Sequence, residues 1–446
     1  MRPFVIVVLG LLSCRERSPA SSFDASSLPP KLVHVLVTGP AEGWFVREGP
    51  RLIEQWRTQE QWPNALVLMT GASPSLDVVP ALFEGAPTAA MMTAANVAAF
   101  TAGPRDVDFG VQSLLTLCNT SGAMLLMTNV RPTAEAPPLL APPTFAMFER
   151  SGVKLGVLGV SGLTKADGPF EAVPLEGALQ TTLEAAKSQG AQVIVVMVSG
   201  CSTNLRPILE AHRDWTIDLV VASACDGAVD GRIGTSTLLH VKAGQYASLR
   251  AELGDVRALS AKVVDVATTG HEDPGAAKLR ETWLQRLEGE RSKTIAVLAK
   301  APAPDETALL VATALKVTAK VDAGLFSTRS LKAPLQTGAL TRGGVLDALP
   351  AFERVFLVDV PGEVLIKLVS HPDAFLSLPA KVDPNGSYVL ATTEFLYRTG
   401  IGLDVVDANP VDSDLLVPTA VVSWLEAQGS DAQQPLAVPR PPKRRK

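Results

Sequence analysis

Short apolar runs, separated by amphipathic stretches, recur along most of this chain and constrain its fold more than any other feature. Residues 32–37, 65–69, 124–129, 154–160, 193–198 and 218–221 have strand character, and 238–241, 248–253 and 259–266 continue the series. Residues 48–57 and 175–189 carry helical spacing instead. Between them, residues 131–146 hold five prolines and read as surface loop. A chain that alternates the two periods in this way stacks helices on sheets. The expected class is α/β, a layered domain of two sheets with peripheral helices.

The pattern changes after residue 268. Polar residues 268–273 lead into Pro274, and residues 275–293 form a charged helical stretch with Leu279, Trp283 and Leu287 four apart. That stretch reads as a helix connecting two domains. A smaller α/β domain then starts at Thr294, with strands at 294–298, 355–360 and 388–391 and helices at 307–319, 343–349 and 362–369. The expected division is 32–268, a linking segment 269–293 and 294–425, followed by a disordered basic tail over 426–446 that ends Lys443-Arg444-Arg445-Lys446. No internal repeat is seen.

With 47% hydrophobic residues in 446 the chain is globular, not disordered. A formal net charge of -5 without long acidic runs gives no reason to expect nucleic acid as a partner. The start is different in kind. Arg2 and the apolar run from Phe4 to Leu12 are too short to span a bilayer and read as a signal peptide over residues 1–13. Leu11-Leu12-Ser13-Cys14 resembles a bacterial lipobox, which makes Cys14 the expected lipidation site and 14–31, rich in Ser and Pro, a flexible tether. Arg15 follows it, not the Asp of an inner-membrane retention signal. The expected location is therefore the bacterial cell envelope, lipid-anchored to the outer membrane and facing periplasm or exterior. An exported chain meets an oxidising compartment, and of Cys118, Cys201 and Cys225 at least one must stay free.

The order and spacing of the elements resemble the 5'-nucleotidase and UDP-sugar hydrolase family over about residues 32–412. That resemblance implies a calcineurin-like metallophosphatase domain, a linking helix and a C-terminal nucleotide-recognition domain. The family's metal motifs fall on altered residues. For T-N-D-x-H-G the chain has Thr38-Gly39-Pro40-Ala41-Glu42-Gly43, with Pro40 at the Asp ligand and Glu42 at the His ligand. The G-D strand end is Gly71-Ala72. For G-N-H-E-F-D-x-G it has Gly103-Pro104-Arg105-Asp106-Val107-Asp108-Phe109-Gly110, so Pro104 replaces the Asn ligand and Arg105 the catalytic His, while Asp108 matches its orienting carboxylate. Gly200 stands where the L-S-H histidine belongs, and Ala224 and Asp226 replace the two histidines of the last motif.

Two-metal phosphoester hydrolysis needs cations held by imidazole and carboxylate donors. Pro, Ala and Gly side chains donate nothing. None of His34, His212, His240, His271 and His371 falls at a ligand position. The vestigial acids Glu42, Asp106, Asp108 and Asp226 are the remaining candidates for an oxygen-ligand Ca²⁺ or Mg²⁺ site, or are loop acids, one of them paired with Arg105. If the resemblance holds, Cys201 and Cys225 sit at adjacent strand ends, as a disulfide, two thiols or a soft-metal pair.

The C-terminal half keeps more. Arg329, in Asp322-Ala323-Gly324-Leu325-Phe326-Ser327-Thr328-Arg329, matches the Arg of the family's N-x-G-x-x-R loop. Phe395, in Ala391-Thr392-Thr393-Glu394-Phe395-Leu396, matches a Phe that stacks on a nucleobase. Ile401 replaces a ribose-binding Asp, and the region for a second stacking aromatic is short, leaving Phe375 as its stand-in. Arg329 and Phe395 are thus the candidate ligand-binding pair for an anionic, planar molecule. Three readings follow: a catalytically inactive, lipid-anchored protein, needing no cofactor, that binds an envelope protein or small molecule; a metal-dependent phosphohydrolase of nucleotides or nucleotide sugars; and a small-molecule sensor using the C-terminal pocket. Divalent metal enters only in the second.

Overall fold

The computed structural model describes residues 31–41, 43–71, 82–107, 109–137, 142–164, 168–225, 227–350, 353–372, 374–399 and 401–440. The signal peptide, Cys14 and the tether up to residue 30 lie outside the described residues.

Two six-stranded sheets build the first domain. Across the first run Arg257–Asp265, Gln245–Leu253, Lys31–Thr38, Leu66–Met69, Val97–Phe100 and Met124–Leu125. Across the second run Gly231–Ile233, Ser236–Val241, Leu219–Ser223, Val193–Val198, Val153–Val160 and Phe145–Arg150. Strand side chains alternate between faces, and this decides the layers. Val33, Val35 and Val37 point between the sheets, where they meet the face of the second sheet that carries Leu155, Val157, Val195 and Val221. Leu36, Val67, Met69 and Phe100 point the other way, under Trp44–Gln59, Ala86–Ala94 and Gly110–Ser121. On the outer face of the second sheet Ile194, Val196 and Val220 are covered by Leu179 and Leu183 of Leu175–Ser188 and by Leu209. The outcome is helix, sheet, sheet, helix. Strand expectation 124–129 shrinks to Met124–Leu125, and the Pro-rich stretch is bounded by strands Val130–Pro132 and Phe145–Arg150.

The connecting helix is Pro274–Arg291, started by Asp273, whose side chain accepts the Ala276 N–H. It belongs to both domains. Arg280 donates to the Arg47 carbonyl at 3.0 Å, and Arg291 pairs with Asp347 at 2.7 Å.

In the second domain a five-stranded sheet carries Ala374–Ser377, Ala323–Ser327, Ser387–Thr393, Arg354–Pro361 and Val411–Leu416. Pro304–Ala319 and Val417–Ala427 cover one face; Gly362–Val369, Glu394–Arg398 and Leu403–Val406 cover the other. The expected disordered tail from 426 is corrected as far as residue 440. Ser430 Oγ accepts the Val297 N–H at 3.0 Å, Leu436 donates to the Val297 carbonyl at 2.8 Å, and Val438 is buried. An edge strand, Thr294–Leu298, has backbone groups to satisfy, and this segment supplies the partners. Residues 441–446 lie outside the described residues. Among the described residues no helix is long and apolar enough to cross a membrane.

Candidate functional site

The segments that carry the altered motifs converge at the C-terminal ends of the parallel strands, where α/β sheets bind ligands. Ala41 donates to the Gly71 carbonyl at 2.9 Å, joining the first two loops. A methyl group on Gly71 would lie 3.3 Å from Asp106 Oδ2, 3.5 Å from Ser199 Oγ and 3.8 Å from Pro40 Cβ, so two further loops meet the first two at that point. Ser223 donates to the Gly200 carbonyl at 3.1 Å, and Ala224 to Val241 at 2.7 Å, which closes the ring.

The ring has few donors for a metal. Of the seven positions that the resemblance makes metal ligands, Pro40, Pro104, Gly200 and Ala224 are described and none offers a coordinating side chain. Glu42, Ala72 and Asp226, and the orienting Asp108, lie outside the described residues. Asp106 is the acid that does reach the ring. It is 3% exposed, and its Oδ2 accepts the Gly103 N–H at 2.8 Å, so it holds the loop in shape. Among the described residues no three His, Cys, Asp or Glu side chains group as metal ligands do. The described donor set does not fit a two-metal centre.

Beside the ring Cys201 and Cys225 form a disulfide with Cα atoms 5.8 Å apart, tying the loop after Val193–Val198 to the loop after Leu219–Ser223. Cys118 is the free cysteine among the described residues. Burial pushes its thiol up to about 12, and the nearby Asp106 carboxylate adds to the rise. It is a half-buried thiol packed against the first domain's core.

Two cavities open next to Glu394–Arg398. The larger, about 940 Å³, lies between the domains and is lined by Arg105 of the altered third motif together with Arg354, Arg398, Phe356, Tyr397 and Asp412 of the second domain. Arg354 pairs with Asp412 at 2.8 Å and Arg398 with Glu394 at 2.9 Å, and the Arg398 guanidinium sits 5.8 Å from the Phe356 ring centre. Glu353, behind this wall, accepts the Phe395 N–H at 2.6 Å. Burial raises its carboxyl above the ordinary range, against the pull of that hydrogen bond and of Arg105. The smaller cavity, about 140 Å³, brings Arg329 and Phe395 together with Ser327, His371 and Ile401. Phe395 is 46% exposed and so has ring face to offer. Phe375 is not part of it: it is buried opposite Phe326 in the sheet core, which corrects its expected role. Ligand pockets commonly hold roughly 300–1,000 Å³, so the interdomain cleft is the one of ligand size.

Sequence reading missed a polar network one loop away. Ser202 Oγ lies 2.8 Å from His240 Nε2, and His240 Nδ1 lies 2.9 Å from Asp230 Oδ1. Asp230 and His240 lie on opposite sides of a short antiparallel turn, and Ser202 is 38 residues earlier in the chain. Nothing local in the sequence marks the three as neighbours.

No protein-family model matches this chain, and no curated protein matches it by sequence. Solved structures do. A putative 5'-nucleotidase from Staphylococcus aureus, in complex with alpha-ketoglutarate, superposes with TM-score 0.60 and 14% identity over 91% of this chain and 99% of that one. Haemophilus influenzae NAD nucleotidase gives TM-score 0.58 and 13% identity over 91% and 98%. A 5'-nucleotidase precursor from Thermus thermophilus gives 0.55 and 13% over 89% and 96%. The chain therefore has the two-domain fold of the 5'-nucleotidases, with a metallophosphatase-like first domain.

Proposed function

We propose that this protein is a lipid-anchored binding protein of the bacterial cell envelope, built on a nucleotidase body, that recognises an anionic ligand with a planar ring and does not hydrolyse it. One observation carries the reading: Pro40, Pro104, Gly200 and Ala224 sit in the ring of loops at the positions the resemblance gives to metal ligands, while Arg105, at the position it gives to the catalytic His, lines the arginine-bearing cleft beside it. Without cations to activate water and clamp developing charge, phosphoester hydrolysis has no driver in these residues. Arginines flanked by aromatic rings can instead hold phosphate or carboxylate through the guanidinium and a ring by stacking. Exposed Phe395, on the same short helix as Arg398, extends the stacking surface toward the Arg329 cavity. Cys14 provides the membrane attachment through its lipid. The competing reading is a metal-dependent phosphohydrolase, which the nucleotidase neighbours favour. It requires Glu42, Asp106, Asp108 and Asp226 to replace the lost imidazoles.

The test uses the full chain in detergent. Metal content is measured after incubation with Mn²⁺, Zn²⁺ and Ca²⁺, and AMP, ADP and adenosine are titrated calorimetrically in chelator. Binding of a nucleotide in chelator, without stoichiometric metal or phosphate release, supports the proposal. About two transition-metal equivalents, as two-metal hydrolases carry, together with phosphate release would overturn it.

A further inference from the structure

We infer that Ser202, His240 and Asp230 form a second, metal-independent site that cleaves short-chain acyl esters. This site uses none of the cleft residues. The geometry is that of an activated serine nucleophile: hydroxyl to imidazole at 2.8 Å, imidazole to carboxylate at 2.9 Å. The carboxylate also fixes the tautomer. Asp230 Oδ1 accepts the His240 backbone N–H at 2.8 Å as well as approaching Nδ1, and an ionised carboxylate can only accept. The ring proton therefore sits on Nδ1, and the Nε2 lone pair faces the Ser202 hydroxyl, as a general base must. His240 stands on Ser236–Val241 beside Ala222 of Leu219–Ser223, so the sheet register holds the base. The Cys201–Cys225 disulfide, one residue before the serine, holds the nucleophile loop. Both partners are thus fixed by rigid elements, which an efficient site needs.

Access sets the substrate class. Ser202 is 5% exposed, while its neighbours Cys201, Thr203 and Asn204 are exposed, and Gly200 faces open space. With the hydroxyl so little exposed, the substrates we assign to it are acetyl and similarly short esters. In the reaction Ser202 Oγ bonds to the acyl carbon as its proton passes to His240 Nε2, and the carbonyl pair moves onto oxygen. Collapse expels the alcohol, which takes the proton from His240. Water then attacks acyl-Ser202 by the same route, releasing the carboxylic acid and restoring the hydroxyl. Asp230 acts as a positioning residue.

The test treats the full chain, disulfide intact, with a fluorophosphonate probe, maps the adduct by peptide mass spectrometry, and follows p-nitrophenyl acetate hydrolysis. The expected result is a Ser202 adduct that denatured protein does not form. Ser202→Ala should lower ester hydrolysis by about a hundredfold or more, the range general-base-assisted attack contributes. Asp230→Asn should slow labelling and shift its pH profile, which a merely structural carboxylate would not do. No adduct on Ser202 in the folded wild-type chain would overturn the inference even if the alanine variant fails to fold. So would a folded Ser202→Ala variant that hydrolyses the ester at the wild-type rate.

Discussion

Arg354 donates from Nη2 to the Pro104 carbonyl across the domain boundary at 3.4 Å, while its Nη1 holds Asp412 at 2.8 Å. One guanidinium thus joins the altered third motif of the first domain to the sheet edge of the second. Its side chain is 12% exposed, so solvent screens the pair less than it would on an open surface. The residue that closes the cleft is also one that lines it.

Arg354→Ala should therefore weaken nucleotide binding in chelator by about tenfold, roughly 1.4 kcal/mol, and loosen the two domains together. Calorimetry reads the first effect and small-angle scattering the second. Unchanged affinity would remove Arg354 from the ligand site.

Glu272 links the connecting helix to the first domain through Arg280 at 2.7 Å and Arg51 at 3.1 Å. The Arg280 hydrogen bond, aided by both positive charges, holds its carboxyl below the ordinary range. A lowered carboxyl contributes stability that is present above the unfolded value, about 4.3, and is lost as pH falls through the folded one. Glu272→Gln should cost about 1 kcal/mol at neutral pH. In urea titrations the gap from wild type should shrink as pH falls below the unfolded value and close once Glu272 is protonated in both states. A gap that stays constant across that range would refute the linkage.

The disulfide spans a sequence separation of 24 residues. Closing a loop of that length restricts the unfolded chain by about 3.5 kcal/mol in the chain-entropy model. Cys201→Ser with Cys225→Ser should lower the melting temperature accordingly. Cys118 should stay unreactive to thiol reagents in the folded protein, whether or not the disulfide is present.

Gly324 lies where Ala323–Ser327 packs on Pro304–Ala319, and a methyl group there would come 1.9 Å from the Ala312 carbonyl oxygen. Gly324→Ala should destabilise the second domain by about 1–3 kcal/mol through overpacking. Chemical denaturation followed by Trp424 fluorescence would show it as a lower midpoint.

Much of the architecture was legible in the sequence because it is written in local periods. The alternation at Val33, Val35 and Val37 against Leu36 assigns two faces to one strand, and the helix expected over 362–369 is Gly362–Val369. Less legible were segments whose order comes from distant partners. Residues 430–438 look like polar, proline-bearing tail, yet they complete the edge at Val297, which lies 133 residues before Ser430.

The sequence by itself determined the layered α/β class, the helix between two domains and the non-coordinating side chains at Pro40, Pro104, Gly200 and Ala224, because side-chain period and side-chain chemistry are local properties. Tertiary structure alone decided which groups meet. Ser202 reaches His240 only through the register of Ser236–Val241 on Leu219–Ser223, and Arg354 reaches Pro104 across 250 residues only through domain packing. Hydrogen-bond partners that far apart are selected by sheet register and by the fit of two cores, and no window of sequence carries either.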